Sequence, residues 1–183
     1  MPETKPLVVV TQKIPDAGLN LLRNHFNNVR IGSGKKGTKE LLNFVKGASA
    51  ILALLTDKID KRVFEAAGKN LKIVANYAMG FDNVDLASAK KRRVVVTNTP
   101  GVLTEAVAEH TFALLVAMAR RIVESDRFLR AGKYRGWEPE LLLGPELQGK
   151  TLGIIGLGRI GSRVAEIGAL GYKMKVIYFD RGK

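Results

Sequence analysis

Cysteine is absent from this chain. That excludes disulfides and thiolate metal sites, and a reducing compartment is the simplest setting. A long apolar run is also lacking. The longest, Phe112 to Ala119, is far too short to span a bilayer. Met1 to Pro6 is polar and Leu7 to Val10 too brief for a signal core, so the expectation is a soluble cytoplasmic protein with no membrane partner. Acids are scarce: 17 Asp and Glu stand against 30 Lys and Arg, a formal net charge of +13. Such an excess is compatible with nucleic-acid binding. However, the basic residues are scattered (Lys35-Lys36, Lys90 to Arg93, Arg120-Arg121, Arg127, Arg130). No helix-turn-helix, zinc-finger or aromatic single-strand-binding pattern accompanies them. A lysine-rich solvated surface is the simpler reading, and no nucleic-acid partner is expected.

Glycine is what the chain has in an informative place. Gly156-Leu157-Gly158-Arg159-Ile160-Gly161 follows an apolar run, Thr151 to Ile155, read as a buried strand. Ser162 to Leu170 reads as a helix and Lys175 to Phe179 as a second strand ending in Asp180. Together they form the dinucleotide-binding pattern: G-x-G-x-x-G within strand–helix–strand, with an acid about 20 residues on. Gly156 permits the tight turn. Gly158 lets the backbone approach a pyrophosphate, and Gly161 lets helix and strand pack closely. The amides of Arg159 and Ile160 are expected at the helix N-terminus, where an anion is favoured. Asp180 suits the hydroxyls of an adenosine ribose. Arg181, if not merely exposed, suits a 2′-phosphate. Because Asp180 repels that phosphate, NAD is favoured and NADP is the alternative.

A length of 183 residues fits one large or two small domains. Short apolar strands alternate with helical stretches from about residue 5 to 98: Val8–Val10, a helix to about Phe26, Val29–Ile31, a loop at 32–37, and a helix capped by Thr38. Then come a strand over Ala50–Leu55, a helix capped by Asp60 with Val63, Phe64 and Ala67 on one face, a strand over Lys72–Ala75, a helix over Val84–Lys90 and a strand over Val94–Val96. This alternation implies a parallel sheet covered on both faces. Thr99-Pro100-Gly101 breaks it. Thr104, itself a natural N-cap, with Glu105 and Glu109, opens a helix expected to run to about Phe128. Its middle is apolar all round and therefore covered on every side, between domains or in a subunit interface. Residues 131–149, with Gly132, Trp137, Pro139 and Pro145, read as irregular.

Three motifs occur in one order. They are Ile73-Val74-Ala75-Asn76-Tyr77-Ala78-Met79-Gly80-Phe81-Asp82-Asn83-Val84-Asp85, then Val96-Thr97-Asn98-Thr99-Pro100-Gly101-Val102-Leu103-Thr104, then Gly149 to Gly161. On these the chain resembles the D-isomer-specific 2-hydroxyacid dehydrogenases, nearest their glyoxylate and hydroxypyruvate reductases. The resemblance implies an α/β protein with the N-terminal part of a flavodoxin-like substrate domain at 1–98. A hinge helix and interface segment follow at 99–149, and the first βαβ of a Rossmann NAD(P)-binding domain at 150–183. It implies transfer of a hydride from NAD(P)H to a small 2-keto acid, with a homodimer in the full-length form. The substrate carboxylate is expected at the backbone of Met79 and Gly80, with Leu55 near. The cofactor is expected at Thr104, Gly156, Leu157, Gly158, Arg159, Ile160, Gly161, Asp180 and Arg181. No metal is implied.

Plainer roles compete at several positions: a simple turn for Met79-Gly80, helix capping for Asp82, Asn83 and Asp85, core or interface for Trp137. The family's catalytic arginine, glutamate and histidine are expected beyond Lys183, so no catalytic residue is assigned here and the chain alone is expected to be inactive. His25 reads as a surface residue, His110 as packing or capping, and Arg120 and Arg121 as solvated or paired charges. A non-catalytic fragment that dimerises through the hinge helix is the alternative.

Overall fold

Three β-branched residues, Val8–Val10, form β1, a buried inner strand of a five-stranded parallel sheet ordered β2-β1-β3-β4-β5. The other strands are β2 (Val29–Ile31), β3 (Ala50–Leu54), β4 (Ile73–Tyr77) and β5 (Val95–Thr97). Between them run α1 (Asp16–His25), α2 (Thr38–Phe44), α3 (Lys61–Ala67) and α4 (Leu86–Lys91). This strand order is the flavodoxin-like one, with the order of strand addition reversing between β1 and β3. These elements belong to a computed structural model that describes residues 5–34 and 37–182. The loop expected at 32–37 therefore lies partly outside the described residues. The chain divides into two compact units, Met1–Pro100 and Gly101–Lys183.

In the first unit the main core joins Val9 and Val74 of the central strands to Val45, Val63 and Phe64. Val9, Val45, Phe64 and Val74 are wholly buried. Apolar residues on both sides of the sheet require helices on both sides, which the crossovers supply. Helix starts carry acids. Asp60 accepts the Arg62 amide at 3.0 Å, and Asp85 accepts the Ser88 amide at 3.0 Å. Lys90 and Lys91 instead lie in the last turn of α4, where the helix dipole favours cations. That gives part of the basic run at 90–93 a local electrostatic reason. Thr38 does not cap α2: Gly37 does, its amide donating to the Glu40 carboxylate at 3.1 Å.

The second unit contains α5 (Thr104–Ala119), α6 (Ile122–Arg130), the parallel strands β6 (Thr151–Ile155) and β7 (Lys175–Phe179), and α7 (Arg159–Glu166). A π-helical turn, Ile167–Gly171, follows α7. Residues 131–149 hold no helix or strand. Ala108 and Phe112 of α5 pack on Val164 of α7, with Leu152 and Ile154 against them. Phe112 stacks on Tyr172 with ring centres 5.5 Å apart. Arg163 ties α7 to α5 through Glu105 at 2.7 Å.

Three expectations are corrected here. The helix expected from Thr104 to Phe128 breaks at Arg121, which is left-handed (φ 54°). Leu143 and Gly144 dock at that break, their carbonyls accepting from Arg121 and Arg120. A Cβ on Gly144 would sit 2.0 Å from the Ala119 carbonyl oxygen. Thr104 is the first helical residue of α5 rather than its cap, the cap being Leu103. Leu114 and Met118 of α5 are exposed within the single chain. Strand β6 is not buried: its residues alternate between exposed and half-buried because only one face meets α5 and α7. No helix among the described residues is long and apolar enough to cross a membrane.

Candidate functional site

Two turns at the carboxyl ends of parallel strands carry the expected site residues, one in each unit. In the second unit the chain leaves β6 at Gly156 (φ 94°), a left-handed conformation that favours glycine. The Gly156 amide donates to the Phe179 carbonyl at 2.8 Å, so the turn is anchored to the end of β7. Gly158 caps α7, and nothing lies within 4 Å of where its Cβ would be. Gly161 is the opposite case: a Cβ there would sit 2.1 Å from the Gly156 carbonyl oxygen, so only glycine permits this approach of helix to strand. The first intrahelical bond runs from the Ser162 amide to the Gly158 carbonyl. The amides of Arg159, Ile160 and Gly161 therefore have no carbonyl a turn behind them. A cradle that a side chain at 158 would fill, facing the positive end of a helix, fits a pyrophosphate.

Asp180 follows β7 and takes a role that spacing did not disclose. Its carboxylate accepts the Leu157 amide at 2.7 Å and the Gly182 amide at 3.0 Å. It thereby ties the turn after β6 to the chain just past β7. Arg181 is exposed beside it. Arg159 is exposed, while Leu157 and Ile160 are half-buried. Thr104 is half-buried at the start of α5. The helix expected over Ser162–Leu170 begins earlier, at Arg159, and turns π-helical at Ile167. A Cβ on Gly168 would meet Leu152 at 2.8 Å and Phe112 at 3.3 Å.

In the first unit β3 ends at Leu54, one residue sooner than expected. Leu55 stands just past it, 66% exposed. The backbone after β4 is held in an ordered way. The Ala78 carbonyl accepts the Thr99 amide at 2.9 Å. The Met79 carbonyl accepts Asn98 Nδ2 at 2.7 Å, and the Gly80 carbonyl accepts Asn76 Nδ2 at 2.9 Å. Within a planar trans peptide the carbonyl and the following N–H point opposite ways. The amides of Met79, Gly80 and Phe81 therefore face away from these partners, and none finds an acceptor among the described residues. Gly80 and Phe81 are exposed. Successive backbone N–H groups left without a protein acceptor are suited to an anion.

Sequence reasoning missed the polar support beneath this loop. Asn76 is 2% exposed and pairs reciprocally with Asn83, amide to amide, at 3.0 Å in both directions. Asn83, expected to cap a helix, is engaged in this pair instead, and Asp85 does the capping. Asp57 is also buried. Its carboxylate accepts the Thr11 hydroxyl, the Leu54 amide at 2.9 Å and Gln12 Nε2 at 3.1 Å. An asparagine inside the apolar run of β4 was the available signal, because a buried amide requires partners. A cleft of about 450 Å³ lies at neither turn. It is an apolar hollow between α6 and the irregular segment, lined by Phe128, Leu129, Tyr134, Trp137 and Leu141 to Leu143.

The family model for the catalytic domain of D-isomer specific 2-hydroxyacid dehydrogenases matches residues 8–169. The chain belongs to that family. A glyoxylate reductase of Korarchaeum cryptofilum is 49% identical over 178 residues, 96% of this chain and 53% of that protein. The TT0316 protein of Thermus thermophilus superposes with a TM-score of 0.89 at 46% identity, over 95% of this chain and 56% of that one. The D-lactate dehydrogenase of Aquifex aeolicus, solved with NAD and lactic acid, superposes with a TM-score of 0.77 at 30% identity, over 96% and 52%. The chain spans about half the length of the curated relatives it matches.

Proposed function

We propose that this 2-hydroxyacid dehydrogenase chain serves the reduction of a small 2-keto acid, glyoxylate or hydroxypyruvate, to a D-2-hydroxy acid. Its cofactor is NADH, with NADPH the alternative. The observation that carries the reading is the run of three amides at Met79, Gly80 and Phe81 with no acceptor among the described residues, beside Leu55, where a substrate carboxylate would be complementary. The glyoxylate reductase relatives supply the substrate class, and the neighbour holding NAD supplies the cofactor. In this reading residues 1–98 are the substrate domain, 99–149 the hinge helix and interface segment, and 150–183 the start of the Rossmann domain.

Gly156 to Gly161 would hold the pyrophosphate and Asp180 the adenosine ribose, with Thr104 and Arg181 close to the cofactor. Asp180 disfavours a 2′-phosphate, which is why NAD is preferred. The nicotinamide group supplies the hydride when bound. The protein must then furnish a cation to polarise the keto group and a proton donor for the forming alkoxide. Neither histidine is suited. His25 ends α1 with Nδ1 2.9 Å from the Leu21 carbonyl, at the amino-terminal end of the sheet and away from the 79–81 loop. His110 is exposed on α5. Residues 1–183 alone are therefore expected to bind ligands without turnover. Mixing the chain with NADH and glyoxylate and following the absorbance of the reduced cofactor tests this. Turnover of about 1 per second or faster would mean that the catalytic groups lie within these residues.

A second reading rests on the exposed apolar residues of α5, Leu114 and Met118. On that reading the chain is a non-catalytic fragment that dimerises through the hinge helix, the surface that would also form the homodimer of the full-length enzyme. Light scattering with Met118→Lys distinguishes it: a dimer lost on substitution supports this reading, and an unchanged monomer removes it.

A further inference from the structure

We infer that Asn98 and Asn76 are positioning residues, which orient the peptide planes of residues 79–81 so that three successive amides face the substrate carboxylate. The inference rests on the carboxylate reading of that loop and extends it to side chains that do not touch the substrate.

The argument is geometric. Fixing the carbonyl of one residue fixes the direction of the next residue's N–H, because the peptide is planar. Asn98 grips the Met79 carbonyl at 2.7 Å and so sets the Gly80 amide. Asn76 grips the Gly80 carbonyl at 2.9 Å and so sets the Phe81 amide. The Thr99 amide, next to Asn98 in the chain, grips the Ala78 carbonyl and so sets the Met79 amide. These ties matter most at Gly80. A glycine there has no Cβ to restrict its dihedrals, so an untethered Met79–Gly80 peptide is free to rotate and turn a carbonyl toward an anion.

The two asparagines are held differently. Asn98 is half-buried at the end of β5, so water would satisfy the Met79 carbonyl if the side chain were removed. Asn76 is buried and locked from behind by Asn83. The two N–H of Asn83 Nδ2 are shared among Asn76 Oδ1, the Leu54 carbonyl at 3.2 Å and the Asp57 carbonyl at 3.0 Å. The segment that carries Leu55 and the loop that carries Gly80 are thus fastened to one pair of amides, Asn83 and Asn76. Every polar arm of this pair is bonded, which fixes a single rotamer for each. A merely structural role would make both asparagines matter for stability alone. A positioning role makes Asn98 matter for carboxylate affinity with little effect on stability.

The test uses the ¹⁵N-labelled 183-residue chain and oxamate, an unreactive 2-keto acid analogue. Three variants are compared: Asn98→Ala, Asn98→Asp (the same shape with an acceptor in place of the donor) and Asn98→Gln (the donor on a longer arm). Residual dipolar couplings report N–H directions, and oxamate titration reports affinity. In the parent, oxamate should shift the Met79, Gly80 and Phe81 amides. Asn98→Ala and Asn98→Asp should keep parental couplings through β1, β3 and β4 but change the Gly80 coupling, and bind oxamate at least about tenfold more weakly. Asn98→Gln should recover part of the affinity, which a packing role would not allow. Parental Gly80 couplings and parental affinity in Asn98→Ala and Asn98→Asp would overturn the positioning inference and leave the carboxylate reading intact. A parent whose 79–81 amides ignore oxamate would instead overturn the carboxylate reading, and the couplings alone would then decide whether Asn98 sets the Gly80 plane.

Discussion

The two units use the same strand–helix–strand grammar and end with different amounts of buried surface. In the first, β1, β3 and β4 lie inside a five-stranded sheet, and Val9, Phe64 and Val74 are fully buried. In the second, the sheet has two strands. Leu152 and Ile154 face α5 and α7, while Ile155 is 92% exposed and Ile177 and Phe179 are also exposed. A parallel pair needs cover on both faces, and in the second unit one face of β6 and β7 has none among the described residues. Local pattern thus suffices to shape a βαβ unit, and the number of neighbouring elements decides how well it is buried.

The largest expected effect compares equivalent aromatic deletions. Phe64→Ala empties the centre of the first unit and should cost about 3–5 kcal/mol. Phe112→Ala, in the small cluster of the second unit, should cost less. Hydrogen exchange with unit-specific probes measures both. It should also find the slowest amides in β1, β3 and β4 and faster ones across 152–179. Slow exchange across 152–179 in a proven monomer would break the comparison.

Next come two glycines of one turn. Gly161→Ala forces a Cβ against the Gly156 carbonyl and should destabilise the second unit by about 2 kcal/mol or more, leaving the first unit unaffected. Gly158→Val meets open space, so stability should hold while binding of ADP-ribose or NAD is lost, because the side chain occupies the path of the pyrophosphate. Calorimetric titration and thermal unfolding separate the two effects. If Gly158→Val binds NAD as well as the parent does, the turn is not a cofactor site in this chain.

A smaller effect is expected at Asp180→Ala. It should weaken NAD more than NADP, since one loses a ribose partner and the other loses a repulsion. It should also loosen the tie between Leu157 and Gly182, where the carboxylate holds two amides. Competition titrations with both nucleotides check the order.

The smallest effect is the pH dependence of the helix caps in the first unit. The Arg62 side chain, aided by backbone amides, holds the Asp60 carboxyl below its usual range. The Ser88 hydroxyl and amide do the same for Asp85. A depressed folded pKa means that the stabilisation is full above the ordinary carboxylate value, about 3.9, and is lost as pH falls through the folded value. Asp60→Asn and Asp85→Asn should each lower stability slightly at neutral pH and flatten the acid limb of the stability curve, which acid titration followed by circular dichroism checks.

Much of the fold was legible because it is local. β-branched runs, helix-capping acids and the spacing of Gly156, Gly158 and Gly161 act over a few residues, so their pattern alone specifies the strands, the parallel alternation and the tight turn. The candidate site was half legible in its local geometry. The glycine turn announces itself, and Met79-Gly80 was marked by family motif, but the groups that orient that loop were not. Thr11 meets Asp57 across 46 positions and Asn98 meets Met79 across 19. No periodicity encodes such partners.

The break at Arg121 belongs to the same class, since an apolar helix was expected to continue and Leu143 and Gly144 docked against its end. The exposure of β6 does too, because a strand is buried by whatever packs on it rather than by its own hydrophobicity. The sequence by itself determined secondary structure, strand direction and the glycine turn, which depend on backbone sterics and nearest neighbours. Only the tertiary structure decided which buried amides pair, where the long helix ends and which way the amides of 79–81 point, because each of these depends on groups brought together by the fold.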